Sequence, residues 1–404
     1  MQKSFFEEIR TPPPSGFEAA GIADRLPAFD GMSAGAPEVL AKIDITVIGD
    51  GAVGGAAAEM VARLRVGTLR NIDPGAFKPQ SLLTHFGVMP QDVGIPKAIA
   101  IGERCKRISP GTRVLVHTGG IESVPPAALA DTDLVLLATD NLPAEVAAGQ
   151  LCASLAKPLI QMSVDGTTLV AQVRVLLNRG GGACPRCLYG SIEEEHLRSG
   201  SRFSCDGLIR AAAQPTMSVS PLCAMAASMG ILLGLRHILR LGRPLDDALH
   251  EFCGYTSRSC ESALTRRPDC PQDHTPWTTV RLERSLADTR PAELAAFCGV
   301  DLGSLDFEFE GIRFAESGIC SAGHFVRINE PVNGQAHRRA CPACGAAVEV
   351  PRMSMHDQVP GSMLESFGGL PIARVLPAEP RWAIARSDRS TSLILGAPTG
   401  QEAA

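Results

Sequence analysis

The stretch Asp44-Ile-Thr-Val-Ile-Gly-Asp-Gly-Ala-Val-Gly-Gly-Ala-Ala-Ala constrains this chain more than any other. It joins an apolar, β-branched run to a glycine-spaced turn and then to an alanine-rich, helix-prone segment. Strand, turn and helix follow in the order a nucleotide site needs. In Gly49-x-Gly51-x-x-Gly54 each glycine has its own duty. Gly49 permits the tight turn, Gly51 lets backbone N–H groups approach a phosphate, and Gly54 lets the helix lie close to the sheet. The helix N-terminus adds partial positive charge. Taken alone, the motif fits several nucleotide cofactors.

Strand-like and helix-like segments alternate from Ile43 to Leu177. The alternation predicts an α/β, Rossmann-like, mostly parallel sheet with helices on both faces. Gly67–Asp73 reads as a second strand, and Lys97–Ile108 as a helix stopped by Ser109-Pro-Gly. Thr112–His117, Asp133–Asp140 and Pro158–Val164 read as strands, and Ala144–Leu155 as a helix. Asp133–Asp140 is nearly all apolar, as a strand buried on both faces requires. Asp73 follows Gly54 by 19 residues, the distance at which a dinucleotide fold places the acid that holds ribose hydroxyls.

At 404 residues the chain holds two or three domains of roughly 150 residues each. Residues 1–40, rich in Pro, Gly and Ala, read as an N-terminal arm. Residues 41–280 read as the nucleotide domain, and 281–404, where composition changes, as a β-rich domain. A net charge of -5 and an aromatic content of 4% argue against nucleic-acid binding. The N-terminal Met1-Gln-Lys-Ser-Phe-Phe-Glu-Glu has no apolar core of a signal peptide. The apolar run Pro221–Leu235 falls short of the roughly 18–20 residues that span a membrane. A cytoplasmic chain with no membrane span is the expectation. Its thirteen cysteines then point to metal binding or catalysis rather than disulfides.

After the glycine turn come Asp73, Ser81-Leu-Leu-Thr-His85, Asp92-Val-Gly-Ile-Pro-Lys97, the run Asp131 to Asp140-Asn141, and Cys184-Pro-Arg-Cys187. This ordered set resembles the ThiF/MoeB/HesA family, ATP-dependent enzymes that adenylate protein C-termini. The resemblance runs from about Ile43 to about His274. It implies that Asp73 holds the ribose and that Lys97 contacts phosphate. It makes Asp140 a magnesium-associated carboxylate beside the α-phosphate, with Asn141 in the same cofactor site. A hydride-transferring NAD(P) enzyme has no need of such a set. An ordinary Asp at position 140 would instead cap the following helix.

One position departs from the family pattern. Thr84 stands where a phosphate-binding Arg is expected, and Lys78 and His85 are the nearest replacements. Two functions follow from the resemblance. One is activation of the C-terminal carboxylate of a small ubiquitin-like or sulfur-carrier protein, or of a ribosomal precursor peptide. The other is a catalytically reduced scaffold that binds nucleotide without turnover.

Cysteine spacing supplies further expectations. Cys184-x-x-Cys187 and Cys270-x3-His274 together offer the three thiolates and one imidazole of a structural tetrahedral zinc. Cys320-x3-His324 and Cys341-x-x-Cys344 offer a second, ribbon-like zinc site in the C-terminal domain. Cys205 lies in the polar segment Arg198–Gly207, where Arg202 favours a thiolate. The resemblance implies that a cysteine here accepts the activated carboxylate as a thioester, or forms a persulfide or acyl-disulfide in sulfur-carrier systems. Cys105, Cys152, Cys223, Cys253, Cys260 and Cys298 read mostly as packing residues on helix-like segments. Ser220–Leu241 reads as a long helix whose small residues support a homodimer. Leu305–Glu310, Pro371–Leu376, Trp382–Ala385 and Ser392–Leu395 read as short strands of a domain that docks a partner protein.

Overall fold

A computed structural model of the chain describes residues 5–12, 35–201, 218–333, 339–367 and 369–397. It divides into two compact units, Met1–Pro276 and Trp277–Ala404.

The first unit has strands β1 (Glu7–Glu8), β2 (Asp44–Ile48), β3 (Thr68–Ile72), β4 (Arg113–His117) and β5 (Leu134–Leu137). Further strands are β6 (Leu159–Asp165), β7 (Val170–Leu176), β8 (Ala248–Cys253) and β9 (Arg258–Ala263). Its helices are α1 (Ala36–Leu40), α2 (Ala52–Arg63), α3 (Ser81–Thr84), α4 (Lys97–Ile108), α5 (Leu142–Ser154), α6 (Ser191–Ser201) and α7 (Ser220–Ile238). All nine strands form one sheet in the order β1-β4-β3-β2-β5-β6-β7-β8-β9.

The block β4-β3-β2-β5-β6 is parallel, as the alternation predicts. Beyond β6 the sheet turns antiparallel through β7, β8 and β9, and β1 pairs antiparallel with β4 at the other edge. The parallel strands are therefore the middle of a mixed sheet. The antiparallel wing is the part the alternation does not reveal. Every residue of β9 (Arg-Ser-Cys-Glu-Ser-Ala) is exposed, so it carries no apolar alternation and is held by backbone pairing with β8. Cys253 and Cys260 accordingly lie on strands, not on the helix-like segments expected.

Strand β5, Leu-Val-Leu-Leu, is buried at every position. Its Leu134 and Leu136 join Ile45 and Val47 of β2 in a core covered by α2, α4 and α7. Val135 and Leu137 alternate to the opposite face, where α5 packs on β5. Small residues set the helix spacing. A Cβ at Gly55 would lie 3.1 Å from Ile101 Cδ1 of α4, and one at Gly230 of α7 would collide with Met162 of β6. Helix α7 is long and apolar enough to cross a membrane. Here Leu222, Cys223, Ala226, Ala227 and Ile231 are buried against α2 and the sheet, which is the setting of a core helix.

The second unit comprises β10 (Thr278–Arg281), α8 (Pro291–Cys298), β11 (Asp306–Phe309), β12 (Ile312–Cys320), β13 (Phe325–Asn333) and β14 (Arg339–Ala340). It continues with β15 (Ala347–Glu349), β16 (Met355–His356), β17 (Val359–Pro360), α9 (Gly361–Glu365), α10 (Ile372–Val375), β18 (Trp382–Arg386) and β19 (Thr391–Leu395). One sheet runs β10-β19-β18-β11-β17; the other runs β13-β12-β15-β14, with β16 also on β12. Trp382–Ala385 and Ser392–Leu395 fall within β18 and β19, whereas Pro371–Leu376 is helical and not a strand. Ile372 and Leu376 are both buried, and four residues apart they share one side of a helical turn.

Candidate functional site

Strands β3, β2 and β5 are neighbours, and at their C-terminal ends the chain places Asp73, the glycine turn and Asp140. From β2 the chain winds outward through β3 and β4; from β5 it winds the other way to β6. The crevice between β2 and β5 is thus a topological switch point, where open α/β sheets bind ligands.

Gly49 has φ +90°, and a Cβ there would lie 2.7 Å from the Ala138 carbonyl oxygen, so only glycine fits. Its N–H donates to Ile72 O at 2.8 Å. At Gly51 a Cβ would meet nothing within 4 Å, which leaves open space over the turn. At Gly54 a Cβ would collide with the Gly49 carbonyl oxygen and stand 3.2 Å from Ala138 Cβ. Gly54 therefore closes the helix onto the turn itself, with the end of β5 next.

Asp73 is 5% exposed. Its Oδ2 accepts from the Asp50 amide at 2.8 Å and its Oδ1 from the Gly75 amide at 2.7 Å. Lys97 Nζ lies 3.7 Å from Oδ2. Lys97 opens α4, and its own N–H donates to Gly75 O at 2.9 Å, which places it beside the acid. The structure thus brings together Asp73, Lys97 and the glycine turn. Each Asp73 oxygen keeps acceptor capacity for a ligand hydroxyl.

Asp140 is exposed between β5 and α5. The cap of α5 is Asn141, whose Oδ1 accepts from Ala144 N at 3.4 Å, so Asp140 is not needed for that purpose. One turn on, the buried Glu145 accepts from the Tyr189 hydroxyl at 2.7 Å, and burial raises its pKa. His85, a candidate replacement for the missing arginine, is unsuited to it. Burial, with Lys97 and Arg104 nearby, lowers its pKa to about 4, so it is neutral at neutral pH. Its Nδ1 shares a 2.9 Å hydrogen bond with Thr84 Oγ1. Lys78 is exposed.

Asp50, inside the glycine turn, is the residue the spacing argument passes over. It is fully buried, and neither carboxylate oxygen has a hydrogen-bond partner among the described residues. Burial and the adjacent Asp73 push its pKa well above the usual carboxylate range, opposed by Lys97 and Arg104. The available sequence signal is an acid within a turn meant for phosphate.

Two Cys/His clusters assemble, each with its four ligand atoms within 4.8 Å of one another. In the first unit, Cys184 Sγ lies 3.7 Å from Cys187 Sγ and 3.8 Å from Cys270 Sγ, and Cys187 Sγ lies 3.6 Å from His274 Nε2. His274 Nδ1 bonds Gly182 O at 2.8 Å, which leaves Nε2 for a metal. In the second unit, Cys320 ends β12, and Cys341 and Cys344 lie in the turn between β14 and β15. Cys320 Sγ is 3.6 Å from His324 Nδ1 and 3.7 Å from Cys344 Sγ, and Cys341 Sγ is 3.7 Å from His324 Nδ1. Sulfurs about 2.3 Å from a tetrahedral metal are about 3.8 Å apart, so both donor sets fit. Cys205 lies outside the described residues.

The ThiF family model matches residues 24–272. The chain is 24% identical over 243 residues to molybdopterin-synthase adenylyltransferase of Escherichia coli (strain K12), covering 60% of this chain and 89% of that one. It is 24% identical over 282 residues to the sulfur carrier protein adenylyltransferase of Thermus thermophilus, covering 65% and 90%. Among solved structures, E. coli MccB with ATP is similar at 16% identity and a TM-score of 0.46, covering 59% of this chain and 68% of that one. The relatives are named as adenylyltransferases, the family match spans more than half of the residues, and the chain belongs to the ThiF family.

Proposed function

We infer that the protein is an ATP-dependent adenylyltransferase that activates the C-terminal carboxylate of a small ubiquitin-like or sulfur-carrier protein. The observation that carries this reading is the Asp73–Lys97 pair hydrogen-bonded to the glycine turn at the switch point. Asp73 would hold the ribose hydroxyls, and the open space over Gly51 leaves room for phosphates against the backbone N–H groups. Lys97 would face the phosphate oxygens, and Asp140 would carry a magnesium ion. Bound ATP supplies an α-phosphate that a carboxylate can attack once charge repulsion is offset. Lys97 and the backbone donors would offset that repulsion, and Asp140 would hold a magnesium ion that spreads the remaining charge. Attack would expel pyrophosphate and leave an acyl-adenylate, and the Cys205 thiolate would then take the acyl group as a thioester with release of AMP.

Zinc is the metal we assign to both Cys/His clusters, since three thiolates and one imidazole at tetrahedral spacing suit it. Its role there is to hold chain segments together.

The test is ATP–pyrophosphate exchange dependent on a carrier ending in Gly-Gly. Exchange that disappears in Asp140→Ala and survives Cys205→Ser supports the reading. No exchange with any carrier or precursor peptide removes it. Thr84, with His85 neutral beside it, favours a second reading in which the chain binds nucleotide without turnover. Tight ATP binding with no pyrophosphate release would select that reading.

A further inference from the structure

A cavity of about 510 Å³ lies at the opposite end of the parallel strands from the glycine turn. Ile43 and Asp133, which precede β2 and β5, bound it on the sheet side. Arg179, after β7, and the end of α7 close it. Strand β2 has five residues, so the cavity is about 16 Å from the turn at roughly 3.3 Å per residue. The two places are separate sites.

In a chain of net charge -5 the cavity gathers Arg179, Arg236, Arg240 and His237 against one acid among the described lining residues, Asp133. Asp133 is turned to the backbone, where its Oδ2 accepts from Asp44 N at 2.8 Å. Arg236 is oriented by a 3.1 Å bond from Nη2 to Arg243 O. The guanidinium groups of Arg179 and Arg240 have neither an ion pair nor a hydrogen bond among the described residues. The cations converge in space: after burial, Arg179 and Arg240 are what hold the His237 pKa down. Arg240 sits at φ +54°, a left-handed conformation that a side-chain-bearing residue adopts only under constraint. Nothing lies within 4 Å of a Cβ at Gly242, so the mouth is open.

Guanidinium groups that face one cavity repel each other unless an anion lies between them. Their planar forks match phosphate oxygens in paired hydrogen bonds, and three forks offer more donors than one carboxylate can accept. The volume falls in the range of small-molecule sites, about 300–1,000 Å³, and exceeds the need of a bare phosphate. We propose that this cavity binds a small molecule bearing one or more phosphate groups, held by Arg179, Arg236 and Arg240, independently of the glycine turn.

The test titrates inorganic pyrophosphate into the full chain by calorimetry, in a Lys97→Ala background that weakens the glycine-turn site. One binding event should remain, and its affinity should fall at least tenfold when Arg179→Ala and Arg240→Ala are added. Both side chains are exposed, so their removal leaves the core intact, and an unchanged melting temperature verifies this. The His237 ring resonances should move on addition of pyrophosphate and stay still in the double-arginine variant. Repeating the titration with adenosine monophosphate distinguishes a nucleotide from an inorganic polyphosphate. No binding of either probe, or an affinity within twofold after both substitutions, overturns the proposal.

Discussion

The backbone amide of Asp50 donates to Asp73 Oδ2 at 2.8 Å, so the turn after β2 and the acid after β3 form one hydrogen-bonded unit. The carboxylate assigned to the ribose also fixes the loop that would face phosphate, and Lys97 closes the group from α4.

Asp73→Ala removes two charge-assisted hydrogen bonds and the Lys97 pair. Hydrogen bonds to charged groups contribute about 1.5–3 kcal/mol each, so ATP affinity should fall at least about tenfold. Equilibrium titration with ATP checks this. Wild-type affinity in the variant would place the nucleotide elsewhere.

Asp50 gives a pH signature. Burial and the neighbouring Asp73 raise its folded-state pKa well above the ordinary carboxylate range, so the folded chain holds this proton more tightly than the unfolded one. The stability it contributes is fully present below the unfolded value and is lost as pH rises through the raised folded value. Asp50→Asn keeps the shape and abolishes the titration. The variant should melt higher than the parent at pH 8, by about 3 °C per kcal/mol relieved, and the gap should close toward pH 4. Melting curves across that range decide it.

Thr84→Arg should raise carrier-dependent ATP–pyrophosphate exchange by about tenfold, the effect of roughly 1.4 kcal/mol from one phosphate contact in the transition state. His85→Gln should leave exchange nearly unchanged, because His85 is already neutral with a pKa of about 4. Its ring resonances should not titrate between about pH 5 and pH 8, unlike those of an ordinary histidine.

Metal analysis should find about two zinc ions per chain, one for each donor set. Cys270→Ser and Cys320→Ser should each lose about one, and the losses should be independent because the clusters belong to different units. A chelator should lower the melting temperature, since the binding free energy of a structural zinc is also folding free energy.

The parallel block was legible because its strands are buried on both faces: Leu134–Leu137 admits no polar residue. The antiparallel wing was not. Strand β9 is an exposed edge held by main-chain bonds, and hydropathy carries no record of such pairing. Pro371–Leu376 misleads for a related reason, since a short apolar run does not state whether its spacing is that of a strand or of a helical turn. The two Cys/His clusters were readable because tight Cys and His spacings are local, even though each cluster joins segments far apart in the chain.

By itself the sequence determined the glycine turn, the acid at position 73, the lysine at 97 and the two Cys/His sets. These are local chemistries, set by residue type and short spacing. Only the tertiary structure decided that the Asp50 carboxylate is buried with no hydrogen-bond partner among the described residues, that His85 is neutral, and that three arginines meet at the opposite end of the parallel strands from the turn. Burial and charge proximity are properties of packing between distant segments, and they, not residue identity, set which groups are charged and which way they face.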